Sequence, residues 1–451
     1  LMISESQPYY PAEHTTPQST VPATVYSNFD ALGRVQQKQS PQVDGTMTTA
    51  YQYNGLTTNI TVTPSKNASS SPSSILSMSR TYNALEQLVR TQDANGGITQ
   101  YAYDGAGHPI VIEDAGNNRI TARYDALGRK TWVDDPNQGR TDFTYNDFGE
   151  LEKETDANGD IIRFDRDKLG RVTSRMVTPA SIATNPNSTA TASTASFVWD
   201  TRKHGLLTSQ SENGSTQSYQ YDNAARIIST TTTIDGINYL VQTQYDENVG
   251  RPLSLSYPGA NNADGGLKIK YEYNSHGYLS HEKNAQSDFI YREITEQDVF
   301  GNIKKAKLNA GTLTGDYAYS GRTGQMLHSQ VQQSGINLHY LGYTNYDGYG
   351  NLAQQTNHVL TSLGGATEDY TYDKLHRLTQ SNITLSGVTS SIDYAYDAVG
   401  KWPVGKTSWA KGLRAKNSQA KDCQPFKSSN FVAICGLMPV LLSELTLNKL
   451  S

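Results

Sequence analysis

The sequence predicts an all-β chain in which tandem β-hairpin repeats build one long antiparallel sheet. Three observations predict it. A unit Tyr-Asp-x-x-Gly-Arg-apolar recurs along most of the chain, an Asp-x-x-Gly signal falls midway between its copies, and the intervening segments alternate in polarity with period 2.

The unit is clearest as YDALGRK at Tyr124, and it recurs with a changed first residue as FDALGRV at Phe29 and RDKLGRV at Arg166. First positions Tyr82, Tyr103, Tyr124, Tyr145 and Arg166 follow one another at 21 residues. Looser copies begin at Tyr53, Trp199, Tyr221, Tyr245, Tyr273, Gln297, Tyr319, Tyr346, Tyr372 and Tyr396; from Trp199 onward they are 22 to 28 residues apart. Roughly fifteen units therefore fill the chain to Gly400.

The residues expected to hold each repeat are those of the motif itself. They are Tyr103, Asp104 and Gly107; Tyr124, Asp125, Gly128 and Arg129; Tyr145 and Gly149; and Gly170 with Arg171. Later copies contribute Tyr221 and Asp222, then Tyr346, Asp347 and Gly350, then Tyr372 and Asp373, and last Tyr396 and Asp397.

The second signal, at Asp93, Asp114, Asp135 and Asp156, interleaves with Asp104, Asp125, Asn146 and Asp167 in alternating steps of 11 and 10. An Asp or Asn side chain bonds the backbone two residues on, and Gly supplies the positive φ that closes a turn with a bulge. Each repeat thus holds two turns and two strands, which makes it one hairpin.

Before the turn, TQYAYD places Thr99, Tyr101 and Tyr103 on one face, and the tyrosine pair recurs at Tyr219/Tyr221, Tyr271/Tyr273, Tyr317/Tyr319, Tyr370/Tyr372 and Tyr394/Tyr396. An aliphatic residue follows six positions after the first, as at Leu88, Leu151, Val172, Leu279 and Leu378. Stacked hairpins turn both into ladders, in which cross-strand neighbours contribute roughly 0.2–1 kcal/mol each. Stability is then expected from repetition and not from one deep core.

Composition agrees. Only 36% of the chain is hydrophobic and 18% charged, and 29 Tyr stand against 9 Phe. Tyrosine suits a face that is neither dry nor fully wet, because it joins a flat apolar body to a polar tip. Residues 401–451 carry a net +6, which leaves −11 for residues 1–400. An acidic array argues against a nucleic-acid partner, since phosphate backbones demand clustered Lys and Arg.

Cys423 and Cys435 both lie in the basic tail, so the array uses no disulfide. The first residues lack a basic segment followed by an apolar one, so no signal peptide is visible, and the initial Leu suggests a fragment or an unusual start. No run of 18 apolar residues predicts a membrane span; FVAICGLMPVLLSELTL from Phe431 is broken by Pro439 and Glu444. The expected organisation is a polar segment over 1–25, the array over 26–400 and an atypical tail over 401–451. Ser, Thr, Ala and Pro-rich stretches near 63–79 and 178–197 read as insertions.

The tandem Tyr-Asp-x-x-Gly-Arg units with their Asp-x-x-Gly partners resemble the RHS/YD-repeat family over roughly residues 26–400. That family includes bacterial polymorphic-toxin shells, shell components of insecticidal toxin complexes and, more distantly, teneurins. The resemblance implies a sheet wound spirally into a hollow shell, a toxin or effector polypeptide as cargo or further repeats of the same shell as partner, and secretion or surface display by a specialised export route. The sequence departs from the bacterial pattern after Tyr396, where no Asp-Pro and Asn-Pro-rich core segment follows. A truncated or frameshifted relative, or a displaced C-terminal tip, is the expectation from that departure.

Catalytic and ligand signals are weak. Gly400-x-x-x-x-Gly405-Lys406-Thr407 matches a phosphate loop literally but lacks the flanking strand, helix and carboxylate, so it reads as a chance match. Asp93-x-Asn95-Gly96 and Asp156-x-Asn158-Gly159-Asp160 resemble half of a calcium loop, yet the turn role already explains both. His276 and His281 read as surface residues. No cofactor, no metal and no enzymatic activity are expected. The leading expectation is a non-catalytic shell segment; the alternative is a carbohydrate-binding or adhesion array in which tyrosine ladders stack on sugar rings.

Overall fold

In the computed structural model, residues 3–6, 22–65, 75–184, 189–201, 203–259, 266–359 and 365–401 are described. Among the described residues thirty-two strands, from Ser4–Ser6 to Val388–Asp393, pair only with their chain neighbours and always antiparallel, as one meander. One five-residue helix, Ala180–Thr184, is the sole α element among the described residues.

Strand-forming residues dominate where pairing is longest, as in IISTTTTI at Ile227–Ile234, because β-branched side chains pack well on a pleated surface. The two faces differ. Along Ile98–Tyr103 the exposed positions are Gln100 and Ala102 while Tyr101 and Tyr103 are half-buried. Along Ser193–Trp199, Thr194, Ser196 and Val198 are exposed while Ala195, Phe197 and Trp199 are covered. Most residues are half-buried, and the fully buried ones are mainly small, among them Ala195, Ala306, Ala353 and Ser381. A single layer of sheet offers little other interior.

The register slips just before the first-position residue in hairpin after hairpin, for example between Arg123 and Tyr124, Thr144 and Tyr145, and Val198 and Trp199. Such a bulge bends its strand and strengthens its twist. Repeated at the same end of alternate strands, it curls the sheet in one sense.

Tyr-Asp turns follow every second strand and therefore share one rim of the sheet. The second turns lie at the other rim, as do the ends of the strands joined by the connections 64–75, 179–192, 257–267 and 358–365. Strand pairing starts at Leu76 and Ser193, inside the stretches read as insertions, because Leu76-Ser-Met78-Ser and Thr194-Ala-Ser-Phe197 alternate as strands do. Pairing also begins ahead of the expected array start, with Ser4–Ser6 antiparallel to the strand that opens at Ala23.

The curled sheet meets itself. Arg322 donates from Nε to the Gln42 carbonyl at 3.0 Å and from Nη2 to the Gly45 carbonyl at 2.9 Å. The Ser65 amide donates to the Gly348 carbonyl at 3.1 Å. Val399 Cγ1 lies 3.2 Å from where a Cβ on Gly116 would stand, and Lys401 Nζ donates to Asn137 Oδ1 at 2.5 Å. In the first three of these contacts a Tyr-Asp turn rests on a second turn formed twenty-three strands earlier.

Candidate functional site

The Tyr-Asp turn is built by one carboxylate. In YDALGRK, Asp125 Oδ1 accepts the amides of Leu127 at 2.9 Å and Arg129 at 3.0 Å, and Oδ2 accepts Arg129 Nε at 2.7 Å. Gly128 closes the turn at φ 77° with its amide on the Asp125 carbonyl at 3.0 Å. The Arg129 amide, assisted by its guanidinium, holds the Asp125 carboxyl below its ordinary range despite an opposing effect of burial. Asp104, Asp222, Asp347, Asp373 and Asp397 accept backbone amides in the same way. Gly107, Gly149, Gly170 and Gly350 have positive φ, but so do Glu86, Ala225 and His376 at the matching position, so the turn tolerates a side chain there.

In many repeats the first-position aromatic ties its hairpin to the one before. Tyr103 OH donates to the Leu88 carbonyl at 2.7 Å, Tyr124 to Pro109 at 3.3 Å, Tyr145 to Lys130 at 2.8 Å and Tyr221 to Leu207 at 2.7 Å. Tyr346 reaches Met326 at 2.5 Å and Tyr372 reaches Leu352 at 2.8 Å. The substitutes do likewise, since Trp199 Nε1 donates to Val172 at 2.9 Å and Arg166 Nη2 to Leu151 at 3.3 Å.

The motif arginine has a second role that its spacing did not disclose. Its guanidinium lies over the first-position ring of the following repeat: Arg129 over Tyr145 at 4.7 Å, Arg226 over Tyr245 at 4.6 Å, Arg251 over Tyr273 at 4.5 Å and Arg377 over Tyr396 at 4.8 Å. Arg171 covers Trp199 at 5.1 Å while its Nη2 pairs with Asp167 and with Asp200, both at 2.6 Å. That guanidinium, with the Gly205 amide, brings the Asp200 carboxyl down to about 2. His108 takes the arginine's place in its repeat and stacks on Tyr124 at 4.8 Å.

Where the following first position is Arg166 instead of an aromatic, the arginine position holds Glu150, 3.9 Å from Arg166 Nε. The ladder is conserved by exchanging its chemistry. Glu150→Arg is therefore expected to lower the melting temperature by placing two guanidiniums together, and Glu150→Arg with Arg166→Tyr to recover most of that loss by restoring the stack. Thermal melts of the single and double variants check this; a double variant no better than the single one counts against the ladder.

Of the calcium-like segments, Asp93 Oδ1 accepts the Asn95 and Gly97 amides and Asp156 Oδ1 those of Asn158 and Asp160. These oxygens serve the turns. His276 donates its amide to Asn274 Oδ1 within a turn, and His281 Nδ1 lies 3.1 Å from Ser280 Oγ on the strand Leu279–Asn284 that follows. Gly400 closes the last Tyr-Asp turn at φ 85°. The phosphate-loop match from Trp402 onward, both cysteines and the apolar run from Phe431 lie outside the described residues. No described helix is long and apolar enough to cross a membrane.

No family model and no curated protein matches the sequence. Solved structures do. The Tc holotoxin pore of Photorhabdus luminescens with a TccC3 mutation superposes with a TM-score of 0.69 at 15% identity, over 84% of this chain and 21% of that one. TcdB2-TccC3 gives 0.66 at 14% over 88% and 24%, and TcdB2-TccC3-Cdc42 gives 0.69 at 14% over 88% and 22%. The chain shares the fold of the matched part of TcdB2-TccC3. It spans less than a quarter of the length of those chains, and the resemblance read from the Tyr-Asp units is met at the level of fold.

Proposed function

We propose that the chain is a non-catalytic segment of a shell that encloses a toxin or effector polypeptide and leaves its cell by a specialised export route. The observation that carries this reading is the return of the sheet onto its own rim through turn-to-turn contacts at Arg322, Gly348 and Val399. A single-layer sheet that winds in this way bounds a space without needing a packed interior. Its cross-repeat Tyr, Arg and Asp ladder stiffens the wall while the backbone pairing remains local. The shared fold with structures of a Tc holotoxin supports the same reading.

The test fuses a disordered reporter polypeptide after Ser451 of the full chain and follows its digestion by proteinase K. Enclosure predicts digestion about tenfold slower than for the reporter on an unrelated carrier, because cleavage must wait for an opened state. Equal rates would sink the proposal. A second reading, sugar binding, draws on the exposed rings of Tyr239, Tyr257 and Tyr278, at 41%, 43% and 57% exposure; selective binding on a glycan array without reporter protection would favour it.

A further inference from the structure

One step of the Tyr-Asp ladder lacks its ring. The first position holds Tyr, Phe, Trp or Arg in all the remaining units, and Gln297 alone brings neither a ring nor a cation. In the unit before it the arginine position holds Tyr278. The Gln297 side chain does not take the ring's place, because its Nε2 turns to the Gly301 carbonyl of its own turn at 3.4 Å. Elsewhere the ring reaches back one hairpin, as Tyr273 OH does to the Pro252 carbonyl at 2.7 Å. The carbonyl at the corresponding place is that of Leu279, and with Gln297 at the first position no ring donates to it.

A cleft of about 460 Å³ opens at this step, lined by Tyr278 and Leu279 from one unit and by Gln297 and Asp298 from the next. Small-molecule sites span roughly 300–1,000 Å³. A second register shift, between Ile294 and Glu296, adds Thr295 to the strand here, and Thr295 joins the lining. Tyr278 is 57% exposed, and its ring meets no other ring and no cation among the described residues. The gap belongs to the sequence of this step and not to a rim that awaits a neighbouring turn. At Tyr346 and Tyr396 the turn does meet an earlier turn, through Gly348 with Ser65 and Val399 with Gly116, and the ladder place is still filled by the unit's own ring.

We infer that this cleft is a binding site for a planar aromatic ring that carries a hydrogen-bond donor, a phenol or an indole. The ladder itself specifies the ligand. The bound ring takes the place that a first-position ring fills in other repeats, offset on the ring of Tyr278 where those repeats lay a guanidinium. Its O–H or N–H donates to the Leu279 carbonyl as Tyr273 donates to that of Pro252. An indole suits the same geometry, since Trp199 Nε1 reaches the Val172 carbonyl at 2.9 Å from a first position. The ring comes either as a free small molecule or as an aromatic side chain of another polypeptide, and the chemistry of recognition is shared. The site does not depend on whether the sheet encloses a polypeptide.

Saturation-transfer NMR on the full chain tests it, with p-cresol titrated over a millimolar range, toluene as the ring without a donor, and a flexible peptide carrying one tyrosine. The parent should bind p-cresol saturably and toluene about fivefold more weakly, the weight of one net hydrogen bond. Gln297→Tyr restores the ladder's own ring, so it should abolish the saturable p-cresol signal and raise the melting temperature. Gln297→Ala leaves the place open and should still bind, which separates occupation of the cleft from a general disturbance of the step. Tyr278→Ala should weaken binding about fivefold through the lost ring pair. Circular dichroism checks that each variant folds like the parent. Binding of p-cresol without the peptide assigns the site to free small aromatics, and binding of both assigns it to an aromatic side chain. A parent that binds p-cresol without saturation, a Gln297→Tyr variant that binds it as the parent does, or toluene binding as tightly as p-cresol would each overturn the inference.

Discussion

Tyr372→Ala is expected to destabilise the last hairpins by about 3 kcal/mol, and Tyr372→Phe by about 1 kcal/mol. The larger figure has two parts. Truncating a well-buried aromatic costs roughly 3–5 kcal/mol, and Tyr372 is about half-buried, which leaves on the order of 2 kcal/mol for the ring. Its hydroxyl donates across hairpins to the Leu352 carbonyl at 2.8 Å, a bond worth about 1 kcal/mol net. Burial pushes the phenol's pKa up to about 12, which reports the same enclosure. Because the folded-state pKa is raised, this contribution is complete below pH ~10, the unfolded value, and is lost as pH rises through about 12. Hydrogen exchange across Ala366–Tyr372 and Leu378–Leu385 in mild urea is the suitable measurement, since a repeat array opens locally. Equal effects of the two substitutions would show that the ring itself contributes nothing.

A still larger loss, about 4 kcal/mol, is expected for Gly139→Val. Gly139 has φ 74°, where a β-branched residue is strained by roughly 1–3 kcal/mol. A Cβ there would also stand 2.4 Å from the Ala157 Cβ. An alanine Cβ moves only with its backbone, so relieving this overlap adds roughly 1–3 kcal/mol. Gly128→Val is strained in the same way at φ 77°, but its Cβ would meet His108 Nε2 at 2.7 Å, the tip of a side chain that can rotate away. Ala126→Ser at the exposed turn tip should stay within about 0.5 kcal/mol of the parent. Thermal melts should therefore rank Gly139→Val below Gly128→Val, and both below Ala126→Ser. A Gly128 variant that melts at or below the Gly139 variant would contradict the distinction between a backbone-fixed and a rotatable obstacle.

The repeat chemistry was legible wherever it acts within four or five residues. Asp125 with Leu127, Gly128 and Arg129 forms a turn from groups already adjacent in sequence, and the period of 21 residues places the next one. The face carrying Tyr101 and Tyr103 follows equally from alternation. Strand limits at Leu76 and Ser193 were harder to place, because Ser and Thr-rich segments serve as strand or connection according to whether a neighbouring strand is there to pair with them. The reach of Arg129 to Tyr145, and the exchange of Glu150 with Arg166, join residues 16 apart across a hairpin. An arginine after the turn glycine in several repeats hinted at a role without showing its target.

By itself, then, the sequence determined the hairpin, its two turns, the aromatic face and the direction in which copies add, since each is set by local hydrogen bonds and by the two-residue period of a strand. Only the tertiary structure decided that Arg322 meets Gln42 and that Val399 meets Gly116, twenty-three strands apart. Such distances depend on twist and bulge angles summed over many hairpins. A small bend per repeat leaves no mark on any single residue, yet its sum fixes where the sheet returns and which of the described turns meet one another.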